Sequence, residues 1–215
     1  MRRYRFGAQS QIAHWNLVQL ARALSPLFED DVAPLQAGLD LYMKVYSDAA
    51  RSMTAHKLGL PTLNDGDEEW VSALYALMHR AELDMTIFFR NLAQVSLEAP
   101  SAEPLRAAFY REELRERHEG ELLAWLKLYA ARFENEDKSA RVARMNAANP
   151  KYVLRNFMAQ EAIDLAVQGD DGRIAELLDV LRRPYDEQPE RARFAEKRPD
   201  WARHRVGCSM LSCSS

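Results

Sequence analysis

Apolar residues recur at helical spacing along most of the chain, and prolines and glycines interrupt the pattern at a few sharp points. Ile12, Trp15, Leu17, Leu20, Ala21 and Leu24 share a helical period and stop at Ser25-Pro26. There the proline lacks a backbone donor and disfavours helix in the residue before it. This predicts a first helix. A second starts near Pro34, carries Leu35, Leu39, Tyr42, Met43, Val45 and Tyr46, and fades around Gly59-Leu60-Pro61. After an Asp65-Gly66 turn, Asp67 is read as the N-cap of a third helix. Glu68 and Glu69 then sit in the first turn, where carboxylates complement exposed amides, ahead of Trp70, Val71, Leu74 and Leu77.

Leu83 to Leu97 continues with Ile87, Phe88, Leu92 and Val95 and ends at Pro100, and Pro104 opens a segment running through Leu114, Leu122, Trp125, Leu126 and Tyr129. Asn149-Pro150 reads as an N-cap followed by proline at the first helical position, with Tyr152, Val153, Phe157, Ile163 and Leu165 as the buried face. Gly169-Asp170-Asp171-Gly172 closes that helix, and a last one, Ile174 to Leu181, stops before Pro184. Three stretches without proline, 62 to 99, 105 to 149 and 151 to 183, and only 8 glycines suit long helices with short, antiparallel links. The fold class predicted is all-α: a multi-helix domain over residues 1–184, then an extended tail over 185–215, where Pro189, Pro199 and mixed charges predict loose structure.

An apolar content of 47% supports a core and excludes a disordered chain. The 29 basic and 32 acidic side chains, net charge -3, alternate in sign as in Glu112, Glu113, Arg115, Glu116 and Arg117. That suits a solvated helix face better than a phosphate-binding surface, so no nucleic-acid partner is expected. No stretch approaches the ~18 uninterrupted apolar residues of a membrane helix, and Leu122 to Ala131 is broken by Lys127. Arg2, Arg3 and Arg5 are followed by Gly7, Gln9, Ser10 and Gln11 instead of an apolar run, so a secretory leader is not expected and the cytoplasm is the predicted location.

Phosphate-cradling glycine loops of the G-x-G-x-x-G and G-x-x-x-x-G-K-[ST] types do not occur. Gly169-Asp170-Asp171-Gly172 lies between helices and reads as a connector, and neither it nor Asn64-Asp65-Gly66-Asp67 has the alternating oxygen ligands of a calcium loop. His118-Glu119-Gly120-Glu121-Leu122 begins like a zinc helix but has leucine where the second imidazole belongs. His14, His56, His79 and His204 are scattered, and no G-x-S-x-G elbow is present. Cys208 and Cys213, the only cysteines, exclude a disulfide framework and a thiolate zinc site. Small residues near the chain end favour an accessible thiol, which makes Cys213 and Cys208 candidates for redox chemistry. A disulfide between them would close a small ring.

Four blocks carry a resemblance to a known family. Arg3-Tyr4-Arg5-Phe6-Gly7 with Gln9 and Ile12-Ala13-His14-Trp15-Asn16-Leu17 is the first, Phe88-Phe89-Arg90-Asn91-Leu92 the second and Asn149-Pro150-Lys151-Tyr152-Val153-Leu154-Arg155-Asn156 the third. The fourth is Pro184-Tyr185-Asp186-Glu187 with Pro199-Asp200-Trp201 and the ending Ser212-Cys213-Ser214-Ser215. In this order they resemble the carboxyl-terminal part of the selenoprotein O family, also called YdiU or UPF0061 proteins. Ser10 and Ala8 depart from the proline and asparagine usual there.

The resemblance implies a kinase-like lobe, preceding the first block in full-length members, that binds ATP in an inverted orientation with Mg or Mn. It also implies transfer of AMP to hydroxyl side chains of protein substrates. The lysine, aspartates and asparagine that handle the nucleotide lie ahead of the first block, so no catalytic residue or metal ligand maps onto this chain and no cofactor of its own is expected. Met1 then reads as a truncated or reassigned start. Arg3 and Tyr4 are the candidates for the edge of the catalytic cleft, and Cys213 stands where selenocysteine-bearing members place that residue. The expectation is a helical fragment whose partner is the missing kinase-like lobe and which is inactive alone. The alternative is a stand-alone helical interaction module with a redox-sensitive terminal cysteine.

Overall fold

Local side-chain chemistry sets where the helices begin and end. In the computed structural model, which describes residues 6–28, 31–133 and 137–208, eight α-helices are joined by short turns and 3-10 segments. They are α1 (Gln9–Leu24), α2 (Ala33–Lys57), α3 (Asp67–Arg80), α4 (Met85–Leu92), α5 (Glu112–Ala130), α6 (Lys138–Ala148), α7 (Asn156–Val167) and α8 (Gly172–Leu181). The described residues hold no β-sheet; Leu83 and Phe109 form an antiparallel bridge. The all-α class read from the pattern is the class observed.

The chain divides into two compact units, one holding α1 and α2 as far as Met53, the other beginning at Thr54. In the first unit, α1 ends as expected at Ser25-Pro26, where the Ser25 hydroxyl donates to the Arg22 carbonyl at 2.9 Å. Asp31 Oδ1 then accepts from the Ala33 amide at 3.1 Å and starts α2. The Tyr42 hydroxyl donates to the Ser10 carbonyl at 3.1 Å, and its ring stacks with His14 and Tyr46. α1 contains no buried residue, and Trp15, Leu20, Leu41, Val45 and Met53 are each about half exposed. A surface helix typically turns such an apolar face toward a core.

The second unit has two cores. The larger gathers Leu58, Leu74, Leu77, Phe88, Phe89, Leu92, Leu105, Leu122, Leu126, Tyr129 and Met145. Trp70 and Trp125 stack face to face there, centroids 4.8 Å apart, and the Trp125 indole donates to the Trp70 carbonyl at 3.2 Å. Asp67 is the first residue of α3 and not its N-cap, which is Gly66 in the left-handed region. The Asp67 carboxylate instead accepts from the Asn64 amide at 2.8 Å and pairs with Arg132.

The apolar pattern marks no separate helix over 138–148, yet α6 is there, with Asp137 capping the Ala140 amide at 2.8 Å. Its buried face carries Arg141, 1% exposed, which donates to the carbonyls of Ala93 and Val95 and to the Tyr129 hydroxyl. Arg141 therefore closes the turn after α4 from inside the core, a placement that hydrophobic periodicity does not register.

The expected helix over 83–97 is shorter, Met85–Leu92: Asp84 caps its start by accepting from the Ile87 amide at 3.1 Å, and it ends at Ala93, where Arg141 takes the Ala93 and Val95 carbonyls. Asn149-Pro150 does not open a helix. Asn149 is the C-cap of α6, its side-chain Nδ2 donating to the Lys57 carbonyl at 2.8 Å, and α7 waits until Asn156.

The smaller core gathers Tyr152, Phe157, Met158, Leu177, Val180, Phe194, Ala202 and Cys208. Three of these come from the segment after Pro184. Its described part, 185–208, is irregular with two 3-10 segments, Pro189–Ala195 and Asp200–Arg203, but it is anchored and not loose. Phe194 is 3% exposed, and the Gln188 side-chain Nε2 donates to the Val180 and Arg183 carbonyls at 3.1 and 2.8 Å.

Candidate functional site

Arg90 projects from α4 and makes four hydrogen bonds, which exhausts most of what a guanidinium can donate. Nη1 donates to the carbonyls of Asn146 and Asn149, both at 3.0 Å. Nη2 donates to the Tyr185 carbonyl at 3.1 Å and to Glu187 at 2.8 Å. Lys151 pairs with the other oxygen of Glu187, and the amides of Lys151 and Tyr152 both donate to the Pro184 carbonyl. Lys151 first and Arg90 second hold the Glu187 carboxyl below its ordinary range. The Tyr152 hydroxyl donates to the Gln188 carbonyl at 2.9 Å, and Asn156 donates to the Cys208 carbonyl at 3.3 Å.

Six residues before Arg90, Asp84 forms a second hub. Arg155 binds it with both prongs, Tyr110 donates its hydroxyl at 2.9 Å, and the Ile87 amide completes the shell. Burial alone would raise the Asp84 carboxyl; the guanidinium and the other donors outweigh it and hold the group below the usual carboxylate range. Tyr110 moves the other way, raised by burial and by the Asp84 charge.

These hubs join three of the four blocks read from the sequence. Arg90 from the second, Asn149 and Lys151 from the third, and Tyr185 and Glu187 from the fourth meet within hydrogen-bonding distance. A cavity of about 630 Å³ opens beside them, lined by Thr86, Ile87, Arg90, Asn91, Lys151 and Asp200 among others. Such a volume suits a small ligand. Arg90 and Lys151 are already committed to Glu187, so the junction reads first as a clamp that fixes α4, the turn after α6 and the segment after Pro184 together.

The sequence-stated candidates fall elsewhere. Arg3, Tyr4 and Cys213 lie outside the described residues. Cys208 lies within them, buried at 6% exposure, so the accessibility expected near the chain end does not extend to it. Among the described residues, no group of three His, Cys, Asp or Glu side chains could hold a metal ion, and no helix is long and apolar enough to cross a membrane. Arg90, Lys151 and Arg155 stand within the blocks, where residue type and spacing alone give them no role. Asp84 does have a local signal, an Asp three residues before Ile87 at the start of an apolar run, the spacing of an N-cap.

The profile of the family described as protein adenylyltransferase SelO matches residues 1–182. The chain belongs to the SelO family. Relatives named protein nucleotidyltransferase YdiU match along the whole chain, at 58% identity in Azoarcus sp. strain BH72, 56% in Aromatoleum aromaticum and 56% in Xanthomonas campestris pv. campestris. The chain spans only 41% of the first two relatives and 42% of the third. The resemblance to the carboxyl-terminal part of SelO proteins, read from the four blocks, thus stands.

Proposed function

We propose that this chain is the helical carboxyl-terminal part of a SelO-type protein adenylyltransferase, that it packs against a kinase-like lobe, and that it does not transfer AMP alone. In the full-length enzyme that lobe takes ATP with Mg or Mn and passes AMP to protein hydroxyls. Nucleotidyl transfer works by positioning and by neutralising phosphate charge, and in this reading the groups that do so belong to the lobe. The observation that carries the reading is in the first unit: Trp15, Leu20, Leu41, Val45 and Met53 are exposed on α1 and α2 in a chain spanning about two fifths of its relatives' length. Exposed apolar surface of that kind marks an interaction face. Arg3 and Tyr4, in the block that opens this unit, would then edge the catalytic cleft.

The test is incubation of the purified chain with labelled ATP, magnesium or manganese, and a protein substrate, alone and with a separately produced kinase-like lobe. The expected result is label transfer only when the lobe is present. Transfer by the chain alone would refute its inactivity, and failure of the two parts to associate would refute the packing. A monodisperse chain that captures a different, defined partner would favour the interaction-module reading.

A further inference from the structure

Tyr110 and Arg198, at the edge of the cavity beside Arg90, also line a second cavity of about 640 Å³. Its charge is lopsided. Arg80, Arg198 and Arg203 face it, and Glu82 is the one carboxylate among its lining residues. Glu82 and Arg203 neutralise each other, Arg203 Nη2 lying 3.2 and 3.1 Å from the two carboxylate oxygens, and Arg111 adds a second cation at 3.0 Å, which leaves Arg80 and Arg198 as the cavity's excess charge. Glu82 also has a positive φ of 48°, a backbone state that costs a non-glycine residue about 1 kcal/mol and persists only where its surroundings enforce it.

Arg80 pairs with Glu121, and both side chains are about half exposed; such pairs are weak and easily exchanged. Arg198 stacks over the Tyr110 ring at 5.0 Å. Tyr75, His79 and His204 also line the cavity and add a phenol and two imidazoles to its wall. Met78, Leu83 and Met85 supply an apolar wall, and methionine thioethers adapt readily to ligand shape.

We propose that this cavity binds an organic phosphate, with an aromatic or apolar body against Tyr75, Met78 and Met85 and phosphoryl oxygens on Arg80 and Arg198. Guanidinium groups match phosphate with paired, charge-assisted hydrogen bonds, and the volume is that of small-molecule sites. The inference concerns the second unit alone and does not depend on the adenylyl-transfer reading.

The test is titration of the 215-residue chain, labelled at methionine methyls, with AMP, inorganic phosphate and adenosine. The Met78 and Met85 signals should shift with AMP and saturate at or below about 1 mM, with phosphate weaker and adenosine weakest. Arg80→Gln with Arg198→Gln should weaken AMP about tenfold or more, while Arg106→Gln, outside the cavity, should leave it unchanged. Silence of Met78 and Met85 up to about 10 mM AMP, or equal binding by the double variant, would overturn the proposal. So would saturation of the same methyls by an acidic peptide but not by AMP, which would assign the cavity to a protein segment. Should the double variant misfold, protection of Arg80 and Arg198 from an arginine-selective reagent by AMP, read by mass spectrometry on the unaltered chain, decides the matter: absence of protection counts against the site.

Discussion

Arg155 holds Asp84 with two prongs, Nη1 lying 2.5 Å from Oδ2 and Nη2 3.0 Å from Oδ1. Arg155 stands at the start of α7 and packs with the smaller core's elements, while Asp84 caps α4 in the larger core, so this pair fastens one core to the other. The pair is nearly out of solvent, with side chains 13% and 2% exposed. Removing one partner of such a pair leaves the other buried and uncompensated, which costs about 3–5 kcal/mol. Asp84→Ala should lower the urea unfolding free energy by that order. Asp84→Asn, which retains a cap oxygen, should cost less.

The same pair sets an acid limit. Because the folded carboxyl of Asp84 is held below its ordinary value, the stability it contributes is fully present above the unfolded value, about 3.9. It is lost as pH falls through the lower, folded value. Glu187, also depressed, acts in the same direction. Urea midpoints measured between neutral pH and about pH 3 should fall steeply in the unaltered chain and less steeply in Asp84→Asn. Equal slopes would show that Asp84 is not a source of the acid sensitivity.

Arg90 predicts a contrast between deletion and conservative replacement. Four acceptors from two parts of the chain, the end of α6 and the segment after Pro184, converge on its guanidinium, which is 10% exposed on its side chain. A lysine has the charge but not the planar fork, so Arg90→Lys should lose about 2 kcal/mol or more. Cleavage after Pro184 by a dilute protease should accelerate alongside. Glu187, 61% exposed, should matter far less: Glu187→Gln should change stability by no more than about 1 kcal/mol.

How much of this was legible depends on how local each cause is. α1, α3 and α8 are near the spans read from the sequence, because a helical apolar stripe and a proline or glycine stop are encoded within one segment. α6 was not, because its most buried residue is Arg141, whose carbonyl partners at Ala93 and Val95 lie far away in sequence. Asn149-Pro150 was read as a helix start, but Asn149 spends its side chain on the distant Lys57 carbonyl. The segment after Pro184 looked loose because its apolar residues are sparse; Phe194 and Ala202 suffice to anchor it against α7 and α8. The blocks that meet at Arg90 were visible as words, while their convergence is a property of the tertiary fold alone.

Two glycines of similar appearance in the sequence should respond oppositely to alanine. Gly59 sits at φ 76°, and an added Cβ would lie 2.8 Å from Met145 Cγ in the core. Backbone strain and overpacking add, so Gly59→Ala should destabilise by about 2 kcal/mol or more. Gly120 lies exposed inside α5 with nothing near its missing Cβ. Gly120→Ala should stabilise by about 0.5–1 kcal/mol through helix propensity. Thermal or urea unfolding of the two variants checks both signs.

Cys208 yields a kinetic prediction. Its side chain lies in the smaller core and its carbonyl accepts from Asn156, so a thiol reagent can reach it only when the surrounding segment opens. In a Cys213→Ser variant, which leaves Cys208 as the one thiol in the chain, labelling of the native protein should be at least about tenfold slower than in urea. Phe194→Ala should bring the two rates together by loosening the core around it, at a cost of about 3 kcal/mol. Rapid native labelling without loss of secondary structure would mean that the segment carrying Cys208 opens independently of the helices it packs on, and any redox role for the chain end would then extend to this thiol as well.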